Sequence, residues 1–206
     1  QELVNAIIRP PRARYTVLDL GPPQFAFCGK DFRRVDFELN NPRGMVLQCS
    51  LWEPVPSADE PPVVRPCVVY MHGNSSCRAE AIPQLALVLS MGAALLAFDF
   101  AGSGLSEGDY VSLGFFEKDD LAAVIEYLRN SNRFSTIALW GRSMGAATAL
   151  LHGERDPSIA AMVLDSAFSN LQHLAEEMVD KGREQGYTVP NWIVRLAIRF
   201  IRSSVS

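Results

Sequence analysis

Long apolar runs, paired cysteines and an excess of positive charge are all missing from this sequence, and each absence removes a class of function. No uninterrupted apolar stretch approaches the roughly 18 residues that a membrane-spanning helix requires. The opening Gln1-Glu2-Leu3 lacks the succession of basic, apolar and small residues that marks a signal peptide. With 19 basic against 23 acidic residues, the net charge of -4 offers no electrostatic footprint for nucleic acid. Cys28, Cys49, Cys67 and Cys77 lie far apart, with no CxxC pair and no cysteine–histidine cluster of zinc-ligand spacing. Reduced thiols in a cytoplasmic protein, without metal or other cofactor, are therefore expected. Histidine is scarce as well: His72, His152 and His173 are the only three.

What remains is a chain of 206 residues that is 48% hydrophobic, enough for a single globular domain over residues 1–206. Residues 32–39 and 45–52 alternate apolar and polar side chains around Asn40-Asn41-Pro42-Arg43-Gly44, which predicts a β-hairpin. A proline-rich stretch from Pro54 to Pro66 reads as an irregular connection. Beyond it come four short apolar runs, at 67–71, 93–98, 136–140 and 160–164, of the kind that form strands buried on both faces. Helical stretches separate them. In the second, Leu121, Val124, Ile125 and Leu128 fall at i, i+3, i+4 and i+7, so they share one face. Alternating strands and helices imply a mainly parallel sheet, as in an α/β-hydrolase or a Rossmann-like domain, and the motifs must separate the two.

The decisive segment runs from Ile137 to Leu150: an apolar strand, then Gly141-Arg142-Ser143-Met144-Gly145, then a helix of small residues. GxSxG in that setting is a nucleophile elbow. The turn is so tight that side chains at 141 and 145 would strike neighbouring backbone, hence Gly141 and Gly145. Ser143 is then presented at a helix N-terminus, where dipole and free N–H groups favour a developing oxyanion. Acyl transfer needs two such donors. The backbone N–H of Met144 is one. A second apolar run, 68–71, ends in His72-Gly73-Asn74, and the N–H of Asn74 is the natural partner. Gly73 would allow close approach of that backbone to substrate, and His72 is expected to brace the loop rather than act as base. Asn74-Ser75-Ser76 also matches a glycosylation sequon, but a glycan there would block the site.

A third motif, from Phe98 to Gly108, contains Gly102, Gly104 and Gly108. The spacing GxGxxxG, with no helix starting at once after the second glycine, argues against a dinucleotide site. Asp99 and Ser106 are expected to hydrogen-bond and hold this loop beside the active site.

Together HGN, DFAGSGLS, EKDDLAAVIEYLR and WGRSMGAATAL resemble the α/β-hydrolases in order and spacing, most of all a plant and protist lineage loosely called serine aminopeptidase-like or lysophospholipase-like. Ile8-Arg9-Pro10-Pro11-Arg12-Ala13 and residues 164–171 share the likeness. The resemblance implies an α/β-hydrolase fold with an N-terminal antiparallel hairpin, related esterases and thioesterases, and a helical cover over residues 168–206. It also implies that acid and histidine follow the nucleophile, here beyond Ser206. His152 lies nine residues along the helix from Ser143, roughly 13 Å away and on the opposite face. His173 is the one histidine that could swing inward, and Asp165, ending the last run, is expected to brace its loop. In the cover, Ile193, Leu196, Ala197, Phe200 and Ile201 form an apolar face and Arg195, Arg199 and Arg202 a basic one. Packing over the core is expected there, ahead of contact with a membrane surface.

The expected function is a serine hydrolase of a small-molecule carboxylic ester or thioester, proceeding through a Ser143 acyl-enzyme. The alternatives are a hydrolase-fold binding protein without catalysis, and a peptide hydrolase acting at N-termini. The last requires an acidic pocket for the substrate amine, and the sequence assigns no carboxylate to that task.

Overall fold

The computed structural model describes residue 9, residues 11–55 and residues 64–168. Among the described residues, seven strands make one sheet: β1 (Gln24–Phe27), β2 (Lys30–Asn40), β3 (Val46–Pro54), β4 (Arg65–Met71), β5 (Ala94–Phe98), β6 (Phe134–Arg142) and β7 (Ala161–Asp165). Three helices connect the later strands: α1 (Ile82–Ser90), α2 (Glu117–Asn130) and α3 (Met144–Gly153). None of the helices among the described residues is long and apolar enough to cross a membrane.

The strand order is β1-β2-β3-β5-β4-β6-β7, antiparallel from β1 through β3 to β5 and parallel from β5 onward. This is the expected α/β-hydrolase sheet, entered through an antiparallel hairpin. The predicted hairpin is β2–β3, with Phe37 opposite Cys49 and Val35 opposite Leu51. β1 was not foreseen. Only four residues long, it is joined to β2 by Cys28 and Gly29, both at positive φ (50° and 72°) as a tight type I′ turn requires.

Strand alternation divides the core in two. Cys67, Val69 and Met71 of β4 point to the face covered by α2 and α3, together with Leu96, Phe98, Ile137 and Leu139. Tyr70, Leu95, Ala97 and Trp52 point to the face covered by α1, where Val88 and Leu89 meet them. In α2 the foreseen stripe of Leu121, Val124, Ile125 and Leu128 is fully buried, worth about 1.5–3 kcal/mol per side chain. β5 is buried at all five positions, as expected for a strand covered on both faces. β7 differs: every residue but Met162 is exposed. It is the outermost described strand, so nothing among the described residues pairs with its far side.

From central β4 the chain moves to β5 on one side through α1, then crosses by α2 to β6 on the other. α1 and α2 lie on opposite faces, so the connections part at the C-terminal end of β4 and leave a crevice there. His72-Gly73-Asn74 follows that end directly. The expected cover over 168–206, its amphipathic face and His173 lie outside the described residues, apart from Phe168 at its start.

Candidate active site

The turn between β6 and α3 takes Ser143 to φ 50°, ψ -110°. An L-residue occupies that conformation only when its surroundings hold it there, at a cost of about 1–3 kcal/mol. The surroundings are visible. Ser143 N–H donates to Asp165 O at 2.8 Å, and Ala147 N–H donates back to Ser143 O at 3.0 Å. A Cβ on Gly141 would stand 2.3 Å from the carbonyl carbon and oxygen of Gly145. One on Gly145 would stand 2.2 Å from Met71 O. Backbone cannot yield at those distances, so a side chain at either position would be strained. The Ser143 hydroxyl does not cap α3 and makes no hydrogen bond among the described residues.

The HGN loop lies against this turn. The Cβ position of Gly73 is 3.8 Å from Ser143 Cβ and 3.7 Å from Arg142 O. Those are ordinary contacts, so the protein itself would tolerate a side chain at 73. That side chain would instead occupy the space above Ser143. The N–H groups of Asn74 and Met144 find no acceptor among the described residues, and Met144 is buried.

His72 is completely buried and committed at both ring nitrogens. Phe100 N–H donates to Nε2 at 3.1 Å, which makes Nε2 the unprotonated nitrogen, so Nδ1–H donates to Gly73 O at 2.7 Å. These two bonds tie the HGN loop to the start of the loop after β5. His152 is buried and engages Asp156 at 3.3 Å through Nε2, on the part of α3 remote from Ser143.

Asp99 directly follows β5 and is fully buried. Its Oδ1 accepts from Arg78 N–H at 2.7 Å, and its Oδ2 accepts from Leu105 N–H at 2.8 Å and from Tyr15 Oη at 2.6 Å. Ser106 Oγ donates to the Asp99 carbonyl at 2.7 Å. A Cβ on Gly104 would fall 2.4 Å from the Asp99 carboxylate, so the glycine serves this contact. Gly102 N–H closes the loop onto Glu107 O at 2.8 Å, and the next helix begins only at Glu117, leaving no helix terminus for a dinucleotide phosphate.

Sequence reasoning missed three contributors. Glu80 accepts from Gly73 N–H at 3.1 Å and from Tyr70 Oη at 3.0 Å. Burial, followed by the Glu80 charge, raises the Tyr70 phenol well above its usual range, so it stays a donor. Arg142, half-exposed beside the serine, lies 3.7 Å from Glu80 and 3.8 Å from Asp165. Tyr15 reaches Asp99 across 84 residues of sequence. No periodicity or motif spacing signals contacts of that kind.

Residues 63–204 match the sequence family described as serine aminopeptidase, S33. The chain belongs to this family. It is 32% identical over 128 residues to the Bacillus subtilis protein YqkD, covering 61% of this chain and 41% of that one. Among solved structures, an esterase of Pyrococcus furiosus, Pf2001, superposes with a TM-score of 0.68 at 25% identity, covering 94% of this chain and 69% of that one. An acetyl xylan esterase from a Paenibacillus shares the fold at 18% identity, with a TM-score of 0.60 over 86% of this chain and 67% of the other. The S33 chain thus spans about two fifths of its Bacillus relative.

Proposed function

We propose that this chain supplies the acyl-accepting half of a serine hydrolase acting on small-molecule carboxylic esters or thioesters. One observation carries the reading: Ser143 is held at φ 50° with a hydroxyl that no described residue engages, beside two N–H groups, of Asn74 and Met144, that lack acceptors. In the reaction the hydroxyl oxygen attacks the acyl carbon, those N–H groups receive the carbonyl oxygen as its charge develops, and the alcohol or thiol leaves to give an acyl-Ser143 that water hydrolyses. Each donor removed from such a site typically costs about 10²–10³ in turnover.

The base is a separate matter. His72 has no free ring nitrogen and His152 is turned to Asp156. The general base and its acid therefore come, on this reading, from residues outside those described. Membership of S33 supports a hydrolase, and likeness to the Pyrococcus esterase supports an ester as substrate. Hydrolysis at peptide N-termini is less well supported. It calls for a carboxylate free to bind an amine, and the two carboxylates near the elbow, Glu80 and Asp165, both face Arg142.

The test is covalent labelling of the complete natural protein by an alkyl fluorophosphonate. Labelling that disappears in Ser143→Ala is expected; labelling that persists there assigns the nucleophile elsewhere.

A further inference from the structure

The N-terminal segment carries two side chains whose polar bonds are spent almost wholly on the loops beside Ser143. Arg12 donates to the carbonyls of Ser106 at 2.7 Å and Gly104 at 3.4 Å, and also to Gly108 O. Tyr15 Oη donates to Asp99 at 2.6 Å. Arg12 is exposed, and the Tyr15 ring is half-buried against the core face covered by α1.

From these bonds a continuous path leads to the peptide between Gly73 and Asn74. That peptide is planar, so the Gly73 carbonyl and the Asn74 N–H turn as one unit and point in opposite directions. The carbonyl is held by His72 Nδ1–H at 2.7 Å and Ser76 N–H at 3.3 Å. Gly73 N–H is held by Glu80. Both anchors go back to Asp99. His72 is fixed by the N–H of Phe100, the next residue, and by the Phe100 ring edge-on at 5.1 Å between centroids. Glu80 sits in the short turn Arg78–Ala81, whose first N–H is bonded to Asp99 Oδ1. Asp99 Oδ2 is placed by Tyr15 together with Leu105, and Leu105 belongs to the loop that Arg12 clasps.

We infer that Arg12 and Tyr15 form a strap that positions the Asn74 N–H toward Ser143, acting through Asp99, His72 and Glu80. Both are positioning residues, since neither touches the reacting atoms, and the inference rests on the acyl-transfer reading given above. Two further observations agree with it. Burial and then the Asp99 charge push the Tyr15 phenol far above its usual range, so it is a donor at every working pH. The buried Arg78 guanidinium lies 5.7 Å from the centre of the Tyr15 ring, with Nε and Nη1 unpartnered among the described residues, so the ring closes over a charge that would otherwise meet water.

The experiment uses the complete natural protein and a short-chain p-nitrophenyl ester, with a trifluoromethyl ketone as inhibitor because its tetrahedral adduct carries an oxyanion. Tyr15→Phe keeps the ring and loses only the hydroxyl. It is expected to lower kcat about tenfold, less than outright loss of a donor, with KM within about twofold. Affinity for the ketone should weaken by the same factor. Arg12→Ala should behave likewise, Arg12→Lys should recover part of the loss, and Arg14→Ala, on the same segment with an exposed side chain, should change nothing. If Ser143→Ala abolishes turnover while Tyr15→Phe and Arg12→Ala retain kcat and ketone affinity within twofold, the strap is overturned. A fall in kcat without weaker ketone binding also overturns it, because a merely structural role produces that pattern. If Ser143→Ala keeps both turnover and fluorophosphonate labelling, the acyl-transfer reading itself fails, and the strap falls with it.

Discussion

At Ser143, backbone strain and chemistry meet in one residue, and strain can be measured without any substrate. Alanine removes the hydroxyl but keeps a Cβ at φ 50°; glycine removes both. Ser143→Gly is therefore expected to be more stable than Ser143→Ala by about 1 kcal/mol, against the usual ranking of the two residues. Urea denaturation of both variants checks the difference. Gly145→Ala should act in the other direction. Its new methyl would meet Met71 O at 2.2 Å, and overpacking against backbone should cost at least about 2 kcal/mol in the same experiment. These glycines were legible in the sequence because their requirement is local: two tight approaches within five residues leave a pattern. Tyr15, Glu80 and Arg142 were not legible. Their partners lie on other loops, and a lone tyrosine or glutamate carries no spacing that announces a contact made only after the sheet is assembled.

Elements were read more securely than individual contacts. The buried stripe of α2 and the continuous apolar run of β5 each follow from a periodicity that burial enforces. β1 escaped because four residues barely define an alternation, and its turn rests on Cys28, a residue with no strong preference for positive φ. The burial expected on both faces of β7 is not seen, because nothing among the described residues pairs with its far side. Between elements, Asp156 ties the end of α3 to α2. It accepts from Arg129 at 2.7 Å and from Ser158 Oγ at 2.7 Å. Partial burial pulls its pKa upward, but bonds from Ser158 and Arg129 and the Arg129 charge outweigh that pull and hold the carboxyl at about 2. A folded value below the unfolded one stabilises the protein above the unfolded pKa, and that contribution is lost as pH falls toward 2. Asp156→Asn should therefore be less stable than the parent at pH 5, with the gap closing between about pH 4 and pH 2. Urea midpoints across that range provide the check, and a constant gap would assign the effect to packing instead.

On the proposed reading, the described sheet presents the nucleophile and the oxyanion loop of the whole molecule, and the acid and base lie beyond Ser206. The 206-residue chain by itself should then turn over p-nitrophenyl esters at least about 10⁴-fold more slowly than the complete natural protein, as for serine hydrolases stripped of their base. Side-by-side assays at equal concentration check this. Turnover within tenfold of the complete protein would make His173 the first histidine to replace.

The contact between Gly145 and Met71 has a consequence for how this molecule diversifies. α3 rests directly on the last carbonyl of β4, one residue before the HGN loop, so the Ser143 turn and the loop form a single mechanical body with no compressible layer between them. The side chains of Leu105, Tyr110 and Phe115 are exposed instead and take no part in that contact. Drift at those side chains can therefore proceed while the contact that seats the Ser143 turn against its loop stays fixed. Surface variation and the geometry around Ser143 are thereby separable, open to independent selection.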